Sequence, residues 1–109
     1  MSLTLTEVQK VIREAYGAKD GRRGVEGTFM WFMEEVGELS RIMVRTYGEQ
    51  SFKESDKGKD VADEMADILW VLICLANQTN VNLTEALKKN FEKKSIRDAT
   101  RHKDNDKLV

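Results

Sequence analysis

An all-α domain, a four-helix bundle, is what this sequence predicts, on three observations. Pro is absent from all 109 residues, apolar residues recur at helical spacing almost throughout, and strand-type alternation is weak. Thr4 and Glu7 form a capping box, and Val8, Val11, Ile12 and Ala15 then mark one face of a first helix ending near Gly17. Residues 19–27 hold three glycines among mixed charges, including Arg22 and Arg23, and read as a loop. A second helix is expected from about Thr28 to Tyr47, with Gly48 as a left-handed C-cap. Its stripe of Phe29, Phe32, Val36, Leu39, Met43 and Tyr47 reads as core. Residues 49–58 form a polar connection. The third helix runs from near Lys59 to about Asn80, and from Met65 to Ala76 every position except Asp67 is apolar, the pattern of a helix buried all round. Asn82 and Glu85 repeat the capping box and open a fourth helix that directs Leu83, Ala86, Leu87 and Phe91 inward. Residues 1–98 are thus one domain, and 99–109 a charged, frayed tail carrying His102.

Composition narrows the function. Lys and Arg number 18 against 19 Asp and Glu, a formal net charge of −1, so no overall field favours a nucleic-acid polymer or a membrane surface. The longest apolar run is too short to span a bilayer. One cysteine, Cys74, excludes an intrachain disulfide framework and a multi-cysteine zinc site; it reads as a buried, inert thiol. The start, Met1-Ser2-Leu3-Thr4, lacks the features of a secretory signal, so a cytoplasmic protein is expected.

The carboxylates are the informative part. Glu34, Glu35 and Glu38 crowd about one turn of the second helix, which is destabilising without a cation. Trp31 and Ile42 frame the same sector, an unusual border for a solvated face. Gly37, costly inside a helix, suggests close approach of a neighbour. On the third helix Asp60, Asp63, Glu64 and Asp67 lie within an arc of about 100°. Asp67, set in an apolar run, is expected where solvent is scarce, and a charge there needs a partner or a metal. Glu35 and Glu38 share i,i+3 spacing with Glu64 and Asp67, so antiparallel packing sets four carboxylates face to face. Hard oxygen ligands without Cys or His select Mg2+, with Mn2+ as a substitute. Mg2+ commonly completes its shell with substrate phosphates, which points to a phosphate-bearing substrate.

Glu34-Glu35-Val36-Gly37-Glu38, followed after 25 residues by Glu64-Met65-Ala66-Asp67, resembles the EExxE and ExxD pair of the MazG-like nucleotide pyrophosphohydrolases, an all-α superfamily. Gly24-Val25-Glu26-Gly27-Thr28-Phe29 adds to the likeness, which spans residues 5–97. The resemblance implies an oligomeric four-helix enzyme, a dimer or tetramer, that cleaves a nucleoside triphosphate between its α- and β-phosphates to give a monophosphate and pyrophosphate. It implies Glu35, Glu38, Glu64 and Asp67 as metal ligands, with Glu34 as a further ligand or a group orienting the attacking water. It also implies Lys93 and Arg97 as phosphate contacts, although Lys94 stands where Asn is common, and it matches Asn77 to a substrate-binding Asn. Trp31 is then an aromatic for stacking on a base.

Plainer readings compete. The acidic faces can be solvated, with Arg41 or Arg45 pairing Glu38. Asp60 suits a helix N-terminus, and Asp63 fits either reading. Lys93 and Arg97 can simply solubilise the last helix, Arg22 and Arg23 can stay wet, and Trp31 and Trp70 can be core or interface residues. A phosphoribosyl-ATP pyrophosphatase shares similar acidic motifs, and a non-catalytic helical oligomerisation module could bind metal for structure alone. The missing Glu-x-x-His motifs weigh against a di-metal oxidase bundle. The third helix, too apolar for one small bundle to cover, predicts a homo-oligomer.

Overall fold

Residues 3–48 and 60–104 are described by the structure, a computed structural model, and every regular element among them is helical. There are three helices where four were expected: α1 (Leu5–Tyr47), α2 (Val61–Gln78) and α3 (Leu83–Asp104). The difference lies in α1, whose 43 residues absorb the first two expected helices and the loop between them. The break shrinks to one residue, Gly24, at φ 79° and ψ 168°, a backbone region open essentially only to glycine. The flanking polar groups do not need a loop because they are satisfied within helices. Arg23 pairs with Asp20 at 3.1 Å, the Asp20 carbonyl accepts from Gln78 Nε2 at 2.6 Å, and Thr28 Oγ1 donates to the Gly24 carbonyl at 3.0 Å.

The helix starts follow the sequence closely. Thr4 Oγ1 accepts from the Glu7 N–H at 3.2 Å, Asp60 Oδ1 from Asp63 at 2.7 Å, and Asn82 Oδ1 from Glu85 at 3.1 Å. Each satisfies a backbone donor that the first turn leaves open. The ends follow it less well. Gly48 has φ −98° instead of the left-handed value, its N–H donating to the Val44 carbonyl at 2.8 Å. Helix α3 continues through Asp104, past the expected end at residue 98. The expected 49–58 connection lies outside the described residues.

The two arms of α1, residues 5–23 and 25–47, both contribute buried side chains, and α2 is the main partner of α1. Ile12, Ile73 and Cys74 form the centre of the core, with Val8, Trp31 and Leu83 packed against it. Burial by the chain itself covers only one side of α2: Val71, Ile73, Cys74 and Ala76 are buried, but Met65, Leu69, Trp70 and Leu72 are exposed. The expectation of all-round burial therefore fails within one chain. The second arm of α1 meets expectation in part. Of its apolar stripe Phe32, Val36, Leu39 and Met43 are half-buried while Phe29 and Tyr47 are exposed, and it also buries Thr28 and Ile42 and half-buries Trp31 and Glu35. Gly37 is exposed with nothing near its missing Cβ, so no close helix approach within the chain explains it.

A polar fastening joins the start of α1 to the turn between α2 and α3. Gln9, 5% exposed, donates through Nε2 to Asn77 Oδ1 at 3.2 Å and to the Val81 carbonyl at 2.9 Å. Its Oε1 accepts from the Leu83 N–H at 2.9 Å, and its backbone carbonyl accepts from Asn77 Nδ2 at 3.1 Å. One side chain thereby ties α1 to the end of α2 and the start of α3, around the turn where Asn80 adopts φ 57°. Gln9→Leu strands these groups and should lower stability by about 1–3 kcal/mol, read as a lower urea midpoint. Thr6→Ala, which removes an exposed hydroxyl contact to Thr84, should change it by less than about 0.5 kcal/mol.

Candidate metal centre

Two helices supply the acidic group. Glu64 and Asp67 stand one turn apart on α2, and Glu35 reaches them from the second arm of α1. One carboxylate oxygen from each lies within 4.8 Å of the others. At an effective dielectric of about 20, unit charges at that distance repel by about 3 kcal/mol per pair. Positive charge placed among them would relieve that repulsion. Ligand oxygens on an octahedral Mg2+ stand roughly 3 Å apart when adjacent and about 4 Å when opposite, so this group is wider than a closed ligand set and its side chains would draw together on an ion. All three donors are hard oxygens, the class that Mg2+ and Mn2+ take.

Burial is graded across the group. Glu64 is 5% exposed, Glu35 half-buried and Asp67 exposed. This reverses the expectation that Asp67 sits in the dry setting. The apolar residues around Asp67 in sequence point mostly away from the chain, whereas Glu64 shares the face of α2 that packs on α1. Glu34 and Glu38 are exposed on α1 and lie outside the group of three.

Trp31 has a defined place beside the group. Its Nε1–H donates to Glu35 Oε1 at 3.1 Å, and the Arg23 guanidinium lies 4.4 Å from the ring centre. With one ring face so covered and the indole packed against the core, the expected stacking on a base is available at most on the other face. Asn77 is likewise committed: Oδ1 accepts from Gln9 and from Arg13 NH2 at 3.2 Å, and Nδ2 donates to the Gln9 carbonyl. Lys93 and Arg97 are exposed on α3; Arg97 pairs with its neighbour Asp98 at 3.5 Å. Neither is ion-paired to the acidic group among the described residues. Asp60 is the α2 N-cap, and Asp63 is exposed in the first turn, donating its backbone N–H to that cap.

Sequence reasoning passed over Asp20, which is 6% exposed and anchors Arg23. The signal was available in the spacing: Asp20 and Arg23 at i,i+3, then Trp31 and Glu35 at i,i+4. Arg22 stays exposed, as its plainer reading held.

A MazG nucleotide pyrophosphohydrolase domain matches residues 23–102. The chain belongs to this MazG family. YpjD of Bacillus subtilis is 32% identical over 99 residues, covering 90% of this chain and 89% of YpjD. The crystal structure of Bacillus subtilis YpjD, a proposed pyrophosphatase, superposes with a TM-score of 0.70 at 29% identity, covering 84% of this chain and 93% of that one. In this MazG domain all three residues of the acidic group, Glu35, Glu64 and Asp67, fall within the matched span. No helix among the described residues is long and apolar enough to cross a membrane.

Behind the group, Cys74 is buried and shares a hydrogen bond with Asp20; burial first, then Asp20, pushes its thiol up from 9.0 to about 12. The folded chain should therefore resist iodoacetamide at pH 8 and be labelled promptly in urea. The unfolded thiol loses its proton from pH 9 upward while the folded one keeps it to about 12. In that window the unfolded state binds fewer protons, so this contribution to stability falls as pH rises. Cys74→Ala should flatten that part of a stability profile measured against pH.

Proposed function

We propose that this MazG domain is a Mg2+-dependent nucleoside triphosphate pyrophosphohydrolase, cleaving the α–β phosphoanhydride of ribo- or deoxynucleotides, noncanonical ones included, to a monophosphate and pyrophosphate. The convergence of Glu35, Glu64 and Asp67 within 4.8 Å, in a family named for this chemistry, carries the reading. Bound Mg2+, or Mn2+ in its place, supplies charge neutralisation at the phosphates and makes water a stronger acid. Glu64, buried, and Asp67, one turn along the same helix, hold the ion from one side, and Glu35 holds it from α1. Glu38, a turn beyond Glu35, completes the ligand set, and Glu34 orients the attacking water. Lys93 and Arg97, exposed on α3, meet the phosphates.

The active form in this reading is a homo-oligomer, a dimer or tetramer. Phe29, Met30 and Met33 on α1, and Met65 and Leu69 on α2, each expose roughly half their surface or more, a pattern that marks interaction surfaces. The substrate is a free nucleotide in the cytoplasm, with no role for a nucleic-acid polymer or membrane.

Purified protein incubated with Mg2+ and a panel of canonical and modified triphosphates should yield monophosphate and pyrophosphate. Diphosphate with free phosphate would contradict α–β cleavage, and silence on the panel with turnover of phosphoribosyl-ATP would transfer the chain to that activity. Glu35→Gln and Asp67→Asn should each lower kcat/KM by about a hundredfold or more while circular dichroism shows unchanged helicity. Retained turnover in either variant removes that residue from the mechanism.

A further inference from the structure

The group of three has a support that runs back through α1. Indole nitrogen is a donor only, and the Trp31 N–H is spent on one oxygen of Glu35 at 3.1 Å. A carboxylate with one oxygen fixed by a donor has the direction of its other oxygen fixed as well. The donor is itself held. Trp31 packs on Ile12, Ile73 and Cys74, and its ring is covered by the Arg23 guanidinium 4.4 Å from the centroid. A cation over the ring draws electron density from the indole and strengthens its N–H as a donor. Arg23 in turn is anchored at 3.1 Å by the buried Asp20.

Gly27 completes this arrangement. A Cβ there would stand 2.7 Å from Arg23 Cγ, the base of the side chain and not its flexible end. Glycine at this place leaves room for the Arg23 stem to run flat along α1, across the break at Gly24, and onto Trp31.

Resting on the metal reading above, we propose that Trp31 is a positioning residue for Glu35, that Arg23 braces it, and that Gly27 is the space the brace requires. A Trp31 that merely filled the core would be replaceable by another large ring at no cost to ion binding. In this arrangement the N–H matters as well as the ring, because partners of a ligating side chain set both its orientation and its affinity for the ion.

Mn2+ binding, followed by the electron paramagnetic resonance of the free ion, separates the possibilities when combined with thermal melts by circular dichroism. The unsubstituted protein, Trp31→Phe and Gly27→Ala are compared. Trp31→Phe should weaken Mn2+ binding by about 10- to 100-fold with helicity retained. Gly27→Ala should weaken it several-fold and lower Tm modestly, since its Cβ displaces the Arg23 stem and with it the pairing to buried Asp20. Weaker Mn2+ binding by Trp31→Phe with helicity retained is the result that a residue serving only stability would not give. Undiminished affinity in Trp31→Phe overturns the proposal. If that variant does not fold, Gly27→Ala decides alone, and unchanged affinity in it overturns the brace. Failure of the unsubstituted protein to bind Mn2+ overturns the metal reading and this inference together, whereas normal binding by all three proteins overturns only the inference.

Discussion

Like charges must be kept together for this site to exist, and that requirement shapes the chain. Glu64 and Asp67 cost little to align because one turn of α2 sets their separation. Glu35 has to be carried to them by tertiary packing. The buried Ile42 and Val71 and the half-buried Trp31 lie on the facing sides of α1 and α2 that do so. With that mixed face of α1 inward, Phe32, Val36, Leu39 and Met43 of the apolar stripe are half-buried, and Phe29 and Tyr47 at its two ends are exposed.

The core itself is small, centred on Ile12, Ile73 and Cys74, so buried polar groups take over much of the positioning. Gln9 joins three helices, and Asp20 joins the first arm of α1 to α2 through Gln78 and to the second arm through Arg23. Networks of this kind stabilise most when every member has a partner; here the buried Gln78 Oε1 has no hydrogen-bond partner among the described residues. Gln9 has all of its side-chain atoms engaged, which accounts for a buried amide in so small an interior.

Several of these features are legible in the residues. Thr4, Asn82 and Asp60 announce helix starts because a short polar side chain satisfies a local donor whatever the rest of the chain does. The i,i+3 spacing of Glu64 and Asp67 is legible for the same reason. Spacing fixes the angle between residues on a helix but not the direction in which that helix is turned. Hence Asp67 was expected in the interior and Glu64 fills that place, and of the stripe expected as core the middle members are only half-buried while Phe29 and Tyr47 are exposed. The loop expected over 19–27 shows a related limit. Glycine content marks where a break is permitted, while the Asp20–Gln78 contact beside Gly24 joins residues distant in sequence and on different helices.

Gly24 also governs the reach of the molecule. At 1.5 Å per residue, 43 residues of unbroken helix would extend about 65 Å, beyond the 49 Å longest dimension of the folded chain. Straightened there, the first arm would carry Ile12 and Gln9 away from their own α2, and the half-core left behind would have to be filled from elsewhere. A single backbone torsion that no other residue adopts readily thus decides whether the interior is completed within one polypeptide.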